Sequence, residues 1–290
     1  MPAATEPPKL PAEEPPFEDR TGPTSLLASY YNAISRREFA RAWAYWESPP
    51  SPSYEALVRG LFDAASVRLA VCPPIWFEGT AGSTYSEVSA LVTSIGADGR
   101  RDHFVGCYVA RRSSVEGPDA TPVWSLHDAS VRPTPGNSSD ALQLASVCDT
   151  TPAVSYDDRS GPVRLLASYY NALDQREYAR AWAYWDTEPA PTFEAFVQGF
   201  AETASLMLVV QPPTRLEGAA GSVYAAVPAL VIATHRDASR HNFVGCFVAR
   251  RSNVGPPDAE QDWSLFDAAL QPAPSNTTDV MMLYQVCVEP

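Results

Sequence analysis

The stretch Leu26–Trp46, LLASYYNAISRREFARAWAYW, returns 139 positions later as Leu165–Trp185, LLASYYNALDQREYARAWAYW. The same shift carries FVGC at 104–107 onto 243–246 and VARRS at 109–113 onto 248–252. Gly22–Asp149 thus maps onto Gly161–Val288 with no insertion, and about half of the pairs are identical. Recurrence at one fixed period marks a duplicated folding unit. The chain reads as two domains, 21–149 and 160–290, each of ordinary single-domain size. The joint between them, 150–159, is short and polar, which suits copies that pack closely or move slightly.

In each copy, Gly-Pro at 22–23 or 161–162, preceded by Thr21 or Ser160 as an N-cap hydroxyl, opens a helix. Leu26, Leu27, Tyr30, Tyr31 and Ile34 then follow helical spacing. Phe39, Trp43 and Trp46 mark a second short helix whose aromatic stripe should be buried, ended by the prolines at 49–50 and 189. Ser53 and Thr192 can cap a third. From Val67 onward, stretches rich in Val, Leu, Tyr and Phe alternate with Gly, Pro and Asp, predicting strands near 67–78, 83–95, 102–113 and 123–132. Gly79–Gly82 and Asp98-Gly99 suit tight antiparallel turns, with Asp237-Ala238 the less favourable counterpart of the latter. Three helices followed by an antiparallel meander define an α+β fold.

Residues 1–20 differ from the rest: six prolines and five acids, with little apolar content, compose an extended linker or arm. The whole chain of 290 residues is 45% hydrophobic and carries 34 acidic against 21 basic residues, a net charge of -13. Such a field repels phosphate backbones, so nucleic acid is excluded as an expected partner. No apolar run approaches the roughly 20 residues of a membrane-spanning helix.

Cysteine supplies the sharpest chemical signal. Cys107 and Cys148 recur as Cys246 and Cys287 with the same separation, and no Cys-x-x-Cys pair or neighbouring histidine cluster suggests zinc. One disulfide per copy follows, which places the protein outside the reducing cytosol, in an extracellular or cell-surface location. Cys72, replaced by Gln211 in the second copy, is expected to be a free thiol. Asn137-Ser-Ser and Asn276-Thr-Thr match the N-glycosylation pattern, although Asn in such loops is also ordinary turn chemistry.

The stretch LLASYYNAISRREFARAWAYW, then SYEALVRGLFDAASVRLAV at 53–71 and VWSLHDASV at 123–131, resembles nuclear transport factor 2-like (cystatin-like) domains. The pattern is similar to the small extracellular domain that precedes some penicillin-binding transpeptidases. The resemblance implies two tandem cystatin-like cones, each with a pocket between helices and a curved sheet. The family includes isomerases, dehydratases and polyketide cyclases beside many non-catalytic binding modules, so the fold alone chooses no function.

No phosphate loop, His-Glu-x-x-His helix or nucleophile elbow is present, and none of the four histidines is matched by a histidine in the other copy. No cofactor and no metal are called for. Strand alternation sets Trp124, Leu126 and Asp128 on one face, and Trp263, Leu265 and Asp267 likewise. A pocket Asp on that face, assisted by tyrosine, would serve an isomerase, dehydratase or hydrolase. Pairing of Asp128 with Arg111 or Arg112 is the structural alternative. Tyr31, Tyr85, Trp124 and Asp128, with Tyr170, Tyr224, Trp263 and Asp267, are the expected pocket-lining residues. The leading expectation is an exported, non-catalytic binding or assembly module that takes a small apolar ligand, a glycan or a protein. A small-molecule enzyme comes second and a self-assembling cell-surface subunit third.

Overall fold

A computed structural model describes residues 16–74, 76–80, 82–113, 123–148, 155–219, 221–254 and 262–287. Residues 1–15 of the acidic arm and 150–154 of the joint lie outside them. The first copy runs α1 (Pro23–Ser35), α2 (Phe39–Ala44), α3 (Tyr54–Leu61), β1 (Ala64–Cys72), β2 (Glu78–Thr80), β3 (Ser83–Gly96), β4 (Arg101–Ser113) and β5 (Trp124–Pro133). The second repeats this order as α4 (Pro162–Asp174), α5 (Tyr178–Trp182), α6 (Phe193–Gly199), β6 (Thr203–Val210), β7 (Glu217–Ala219), β8 (Ser222–His235), β9 (Arg240–Ser252) and β10 (Ser264–Pro272). Each copy finishes in 3-10 turns, at Ala141–Ser146 and Val280–Tyr284.

Local chemistry accounts for most boundaries. Ser53 and Thr192 cap α3 and α6 by accepting the Ala56 and Ala195 amides at 3.2 and 3.1 Å. At α1 the cap differs from expectation: Gly22 holds that position, its amide bonding Ser25 Oγ, while the Thr21 hydroxyl donates to Asp19 Oδ1 at 2.7 Å. The first strand ends at Cys72, sooner than the pattern suggested, because Pro73 and Pro74 offer no N–H to a ladder. In FVGC the glycine is steric: a Cβ on Gly245 would run into the Ala269 carbonyl of the neighbouring strand.

All the strands belong to one antiparallel sheet, ordered β10-β9-β8-β6-β1-β3-β4-β5, with β2 and β7 as short additions to β3 and β8. The copies meet at the centre, where Val71 of β1 pairs with Val210 of β6, the residue one repeat length away. A pseudo-twofold axis therefore passes through this pair, and the junction is isologous, like that of a symmetric dimer made within one chain. The same symmetry relates Ala141 N to Thr278 O at 2.8 Å and Val280 N to Ser139 O at 3.0 Å.

Alternation along the strands gives the sheet two apolar faces. One receives α1 and α4 and buries Leu26, Leu27, Tyr30, Trp46, Tyr108 and Leu126 with their partners in the second copy. The other, near the axis, is covered by the terminal 3-10 turns, whose Leu144 and Leu283 pack on Leu91, Val105, Leu230 and Val244. Both apolar clusters contain residues of both copies, so the halves are joined through sheet and core and not by their linker alone. Disulfides Cys107–Cys148 and Cys246–Cys287 fasten each terminal segment to its own β4 or β9. No helix among the described residues is long and apolar enough to cross a membrane.

Candidate functional site

Where Tyr31 packs against Tyr108, the space between α1 and the sheet is filled. Tyr31 is buried there, its hydroxyl bonded to that of Tyr108, and Tyr30 and Tyr108 meet its ring edge-on at 4.9 and 6.1 Å. Burial, followed by the neighbouring Tyr108 and Tyr30, pushes the Tyr31 phenol far above its usual range. Tyr170 occupies the equivalent place against Phe247, at 6.0 Å. Trp124 and Trp263 are each only 2% exposed and serve as core.

Asp128 and Asp267 do not enter a pocket. A β-bulge between Val109/Asp128 and Ala110/Leu126 places His127 as an extra residue, and Phe266 does the same in β10. One inserted residue reverses the facing of everything after it. Both carboxylates consequently lie exposed on the opposite side of the sheet, each accepting the amide of the residue that follows it, at 2.8 Å. Simple alternation failed because a bulge leaves no mark in hydrophobic periodicity.

The expected arginine partner is also different. Arg111 Nη1 meets Glu47 at 2.9 Å, Glu47 also meets His127 Nδ1 at 3.0 Å, and Tyr85 lies beneath the guanidinium, 6.0 Å from its centre. In the second copy Arg250 meets Asp186 at 3.1 Å, and its guanidinium lies over Phe266, which packs edge-on against Tyr224. Tyr85 and Tyr224 thus belong to half-exposed ion-pair clusters on the sheet. Asn137 and Asn276 tie their turns to the sheet: Oδ1 accepts the amide of His103 or Asn242, and Nδ2 donates to the carbonyl of Arg101 or Arg240, at 2.7–2.8 Å. Cys72 is a free thiol, pushed up to about 12 by burial.

The open volume lies elsewhere, beside the pseudo-axis. Beyond Val210 the chain continues antiparallel to β1, but Pro212 and Pro213 cannot extend the pairing, and Pro73 and Pro74 impose the same limit next to β6. A slot opens on each side of the Val71–Val210 pair. The slot walled by α1, β1 and 211–217 encloses about 720 Å³, and its symmetry mate, walled by α4, β6 and Cys72-Pro73, about 220 Å³. Tyr31 lines the first and Tyr170 the second, so these two residues do border cavities, though at the junction and not inside a cone.

The two slots have diverged chemically. In the larger, the Arg68 guanidinium lies over the Tyr284 ring at 4.5 Å. Among the described residues the Arg68 guanidinium has no carboxylate partner, and the Tyr284 hydroxyl is buried with no hydrogen-bond partner. Gln211 lines the same wall, and Arg215 at the mouth is paired with Glu217 at 3.6 Å. The mates of Arg68, Tyr284 and Gln211 are Met207, Ala145 and Cys72. Sequence reading missed these residues because it favoured positions identical in both copies, whereas the polar groups of this slot stand where the copies differ.

A half-buried guanidinium without a carboxylate partner constitutes unsatisfied donor capacity in the wall of a cavity of ligand size, while the Tyr284 hydroxyl beside it is sealed from solvent. No family model, no curated protein and no solved structure matches this chain.

Proposed function

We propose that this chain is an exported, non-catalytic binding module of two nuclear transport factor 2-like domains, and that its principal site is the slot at their junction, which takes an organic anion. The observation that carries this reading is Arg68, stacked on Tyr284 and lacking an acidic partner in a cavity of about 720 Å³. A carboxylate there would pair with the half-buried guanidinium in a partly desolvated setting, where charge-assisted bonds are strong. The two disulfides support an oxidising location. Exposure of Asp128 and Asp267 removes the acid on which the enzymatic reading depended.

Titration calorimetry with succinate and citrate, against wild type and the double variant Arg68→Met/Tyr284→Ala, tests the site. These substitutions install the residues of the smaller slot. Binding by wild type that weakens at least tenfold in the variant supports the reading; equal heats for both proteins would remove it.

A further inference from the structure

The two disulfides occupy equivalent places in the repeat, yet their surroundings differ. Cys148 is 7% exposed and borders neither slot. Cys287 is half-buried and lines the larger slot, together with Leu283, Tyr284 and Val286 of the same terminal segment. None of residues 141–148, the equivalent segment of the first copy, lines the smaller slot. One wall of the Arg68 cavity is therefore a stretch of chain that the Cys246–Cys287 bridge ties down, and Cys287 is the end of that bridge that borders open volume.

The segment is held unevenly. Its inner part is anchored from several sides: Val280 and Leu283 are fully buried in the apolar cluster, and Asp279 accepts from Ser139 across the axis at 2.6 Å. Its outer part has less. Among the described residues its last backbone hydrogen bond runs from Gln285 N to Met282 O at 3.0 Å; beyond it, Val286 packs partly against the cluster and the disulfide is the remaining tie. Cys287 also sits at φ 58°, in the left-handed region that a Cβ makes costly, whereas Cys148 does not. Once released, Cys287 can leave this conformation, and the residues behind it lose their tether. Tyr284, the platform on which the Arg68 guanidinium lies at 4.5 Å, is three residues away.

We infer that Cys246–Cys287 is a redox switch on the slot, opened by a dithiol while Cys107–Cys148 stays closed. This inference rests on the anion-site reading and names the regulation of that site. A thiolate of the dithiol attacks Cys287 Sγ from the slot and forms a mixed disulfide; the bond to Cys246 breaks, and the Cys246 sulfur leaves with the electron pair and takes a proton. The second thiol of the dithiol then displaces Cys287, so the protein gains two electrons and two thiols while the dithiol departs as its own disulfide. Release of 285–287 opens one wall, admits water beside Arg68 and loosens the ring beneath it. A charge-assisted bond to an anion weakens as its surroundings become wetter. Reoxidation restores the wall.

Two measurements on the full chain read the switch. Dilute dithiothreitol on the native protein, quenched by alkylation and mapped by peptide mass, should label Cys246 and Cys287 at least tenfold faster than Cys107 and Cys148. Calorimetry should then show citrate binding at least tenfold weaker in the selectively reduced protein and recovered on reoxidation, with the same loss in Cys246→Ser/Cys287→Ser but not in Cys107→Ser/Cys148→Ser. The reduced wild type carries the comparison should the serine variant fail to fold. Equal rates of reduction, earlier opening of Cys107–Cys148, or citrate binding unchanged by selective reduction overturns the inference. If oxidised wild type binds neither citrate nor succinate, the proposed function falls, and hydrogen exchange decides the switch by itself. Selective reduction should speed exchange in 280–287 and not in 141–148; unchanged exchange in both overturns the switch.

Discussion

Asp140 and Asp279 face each other across the pseudo-axis as an antiparallel bridge, and each carboxylate accepts a hydroxyl proton from the other copy. Thr278 Oγ1 donates to Asp140 Oδ1 and Ser139 Oγ to Asp279 Oδ1, both at 2.6 Å. Each Asp also caps its own 3-10 turn, through Leu142 N at 3.0 Å and Met281 N at 2.9 Å. Asp140→Ala and Asp279→Ala should therefore each cost about 1–2 kcal/mol, as lost caps and charge-assisted bonds do. Urea denaturation of the two single variants and the double variant measures this. Strict additivity would argue that the two carboxylates do not stabilise one shared junction.

The disulfides close loops between residues 41 apart in sequence. In the chain-entropy account, a loop of this length stabilises the fold by about 4 kcal/mol. Cys107→Ser/Cys148→Ser should lower the urea midpoint strongly, and Cys246→Ser/Cys287→Ser should do so comparably. Intact mass after alkylation should show one modified cysteine, Cys72, in the unfolded but unreduced chain and five after reduction. More than one label before reduction would show that a bridge is missing.

Tyr31 and Tyr108 share a buried hydroxyl–hydroxyl bond, whereas the second copy has Phe247 opposite Tyr170. Tyr108→Phe leaves the Tyr31 hydroxyl without this partner and should cost roughly 1–3 kcal/mol. Tyr31→Phe/Tyr108→Phe removes donor and acceptor together and should cost less than the two single changes combined. A double-mutant cycle on the urea midpoints decides it, and a coupling near zero would count against the bond.

His103 is 7% exposed, its Nδ1 2.9 Å from Thr93 Oγ1. Burial holds its pKa below the ordinary value, with Asp279 and Asp102 opposing and Arg101 assisting. A depressed histidine favours folding in its neutral form, so its contribution is complete above about pH 6.5 and is lost as pH falls toward the lowered folded value. His103→Asn installs the residue of the second copy, Asn242. The fall in Tm between pH 7.5 and pH 5.0 should be smaller in this variant than in wild type. An equal fall in both would exclude His103 as a source of acid sensitivity.

The duplication, the helices, the strands within a few residues and the disulfide pairing were legible in one dimension, because each depends on spacing that recurs along the chain. Leu26, Tyr30 and Ile34 share a helix face by local periodicity, and Cys107–Cys148 repeats as Cys246–Cys287 at one separation. The side of the sheet on which Asp128 lies was not legible, since a single bulged residue reverses it without altering the apolar pattern. Nor were the cavities, whose existence requires β1 and β6 to be neighbours.

Sequence alone therefore determined two copies of one α+β unit, each closed by its own sulfur bridge, because local patterning and repetition are properties of the chain itself. Only the tertiary structure decided that Val71 meets Val210, that slots flank this pair, and that Arg68 and Tyr284 line the larger of them. Those relations join residues more than a hundred positions apart, and they arise from packing one copy against the other.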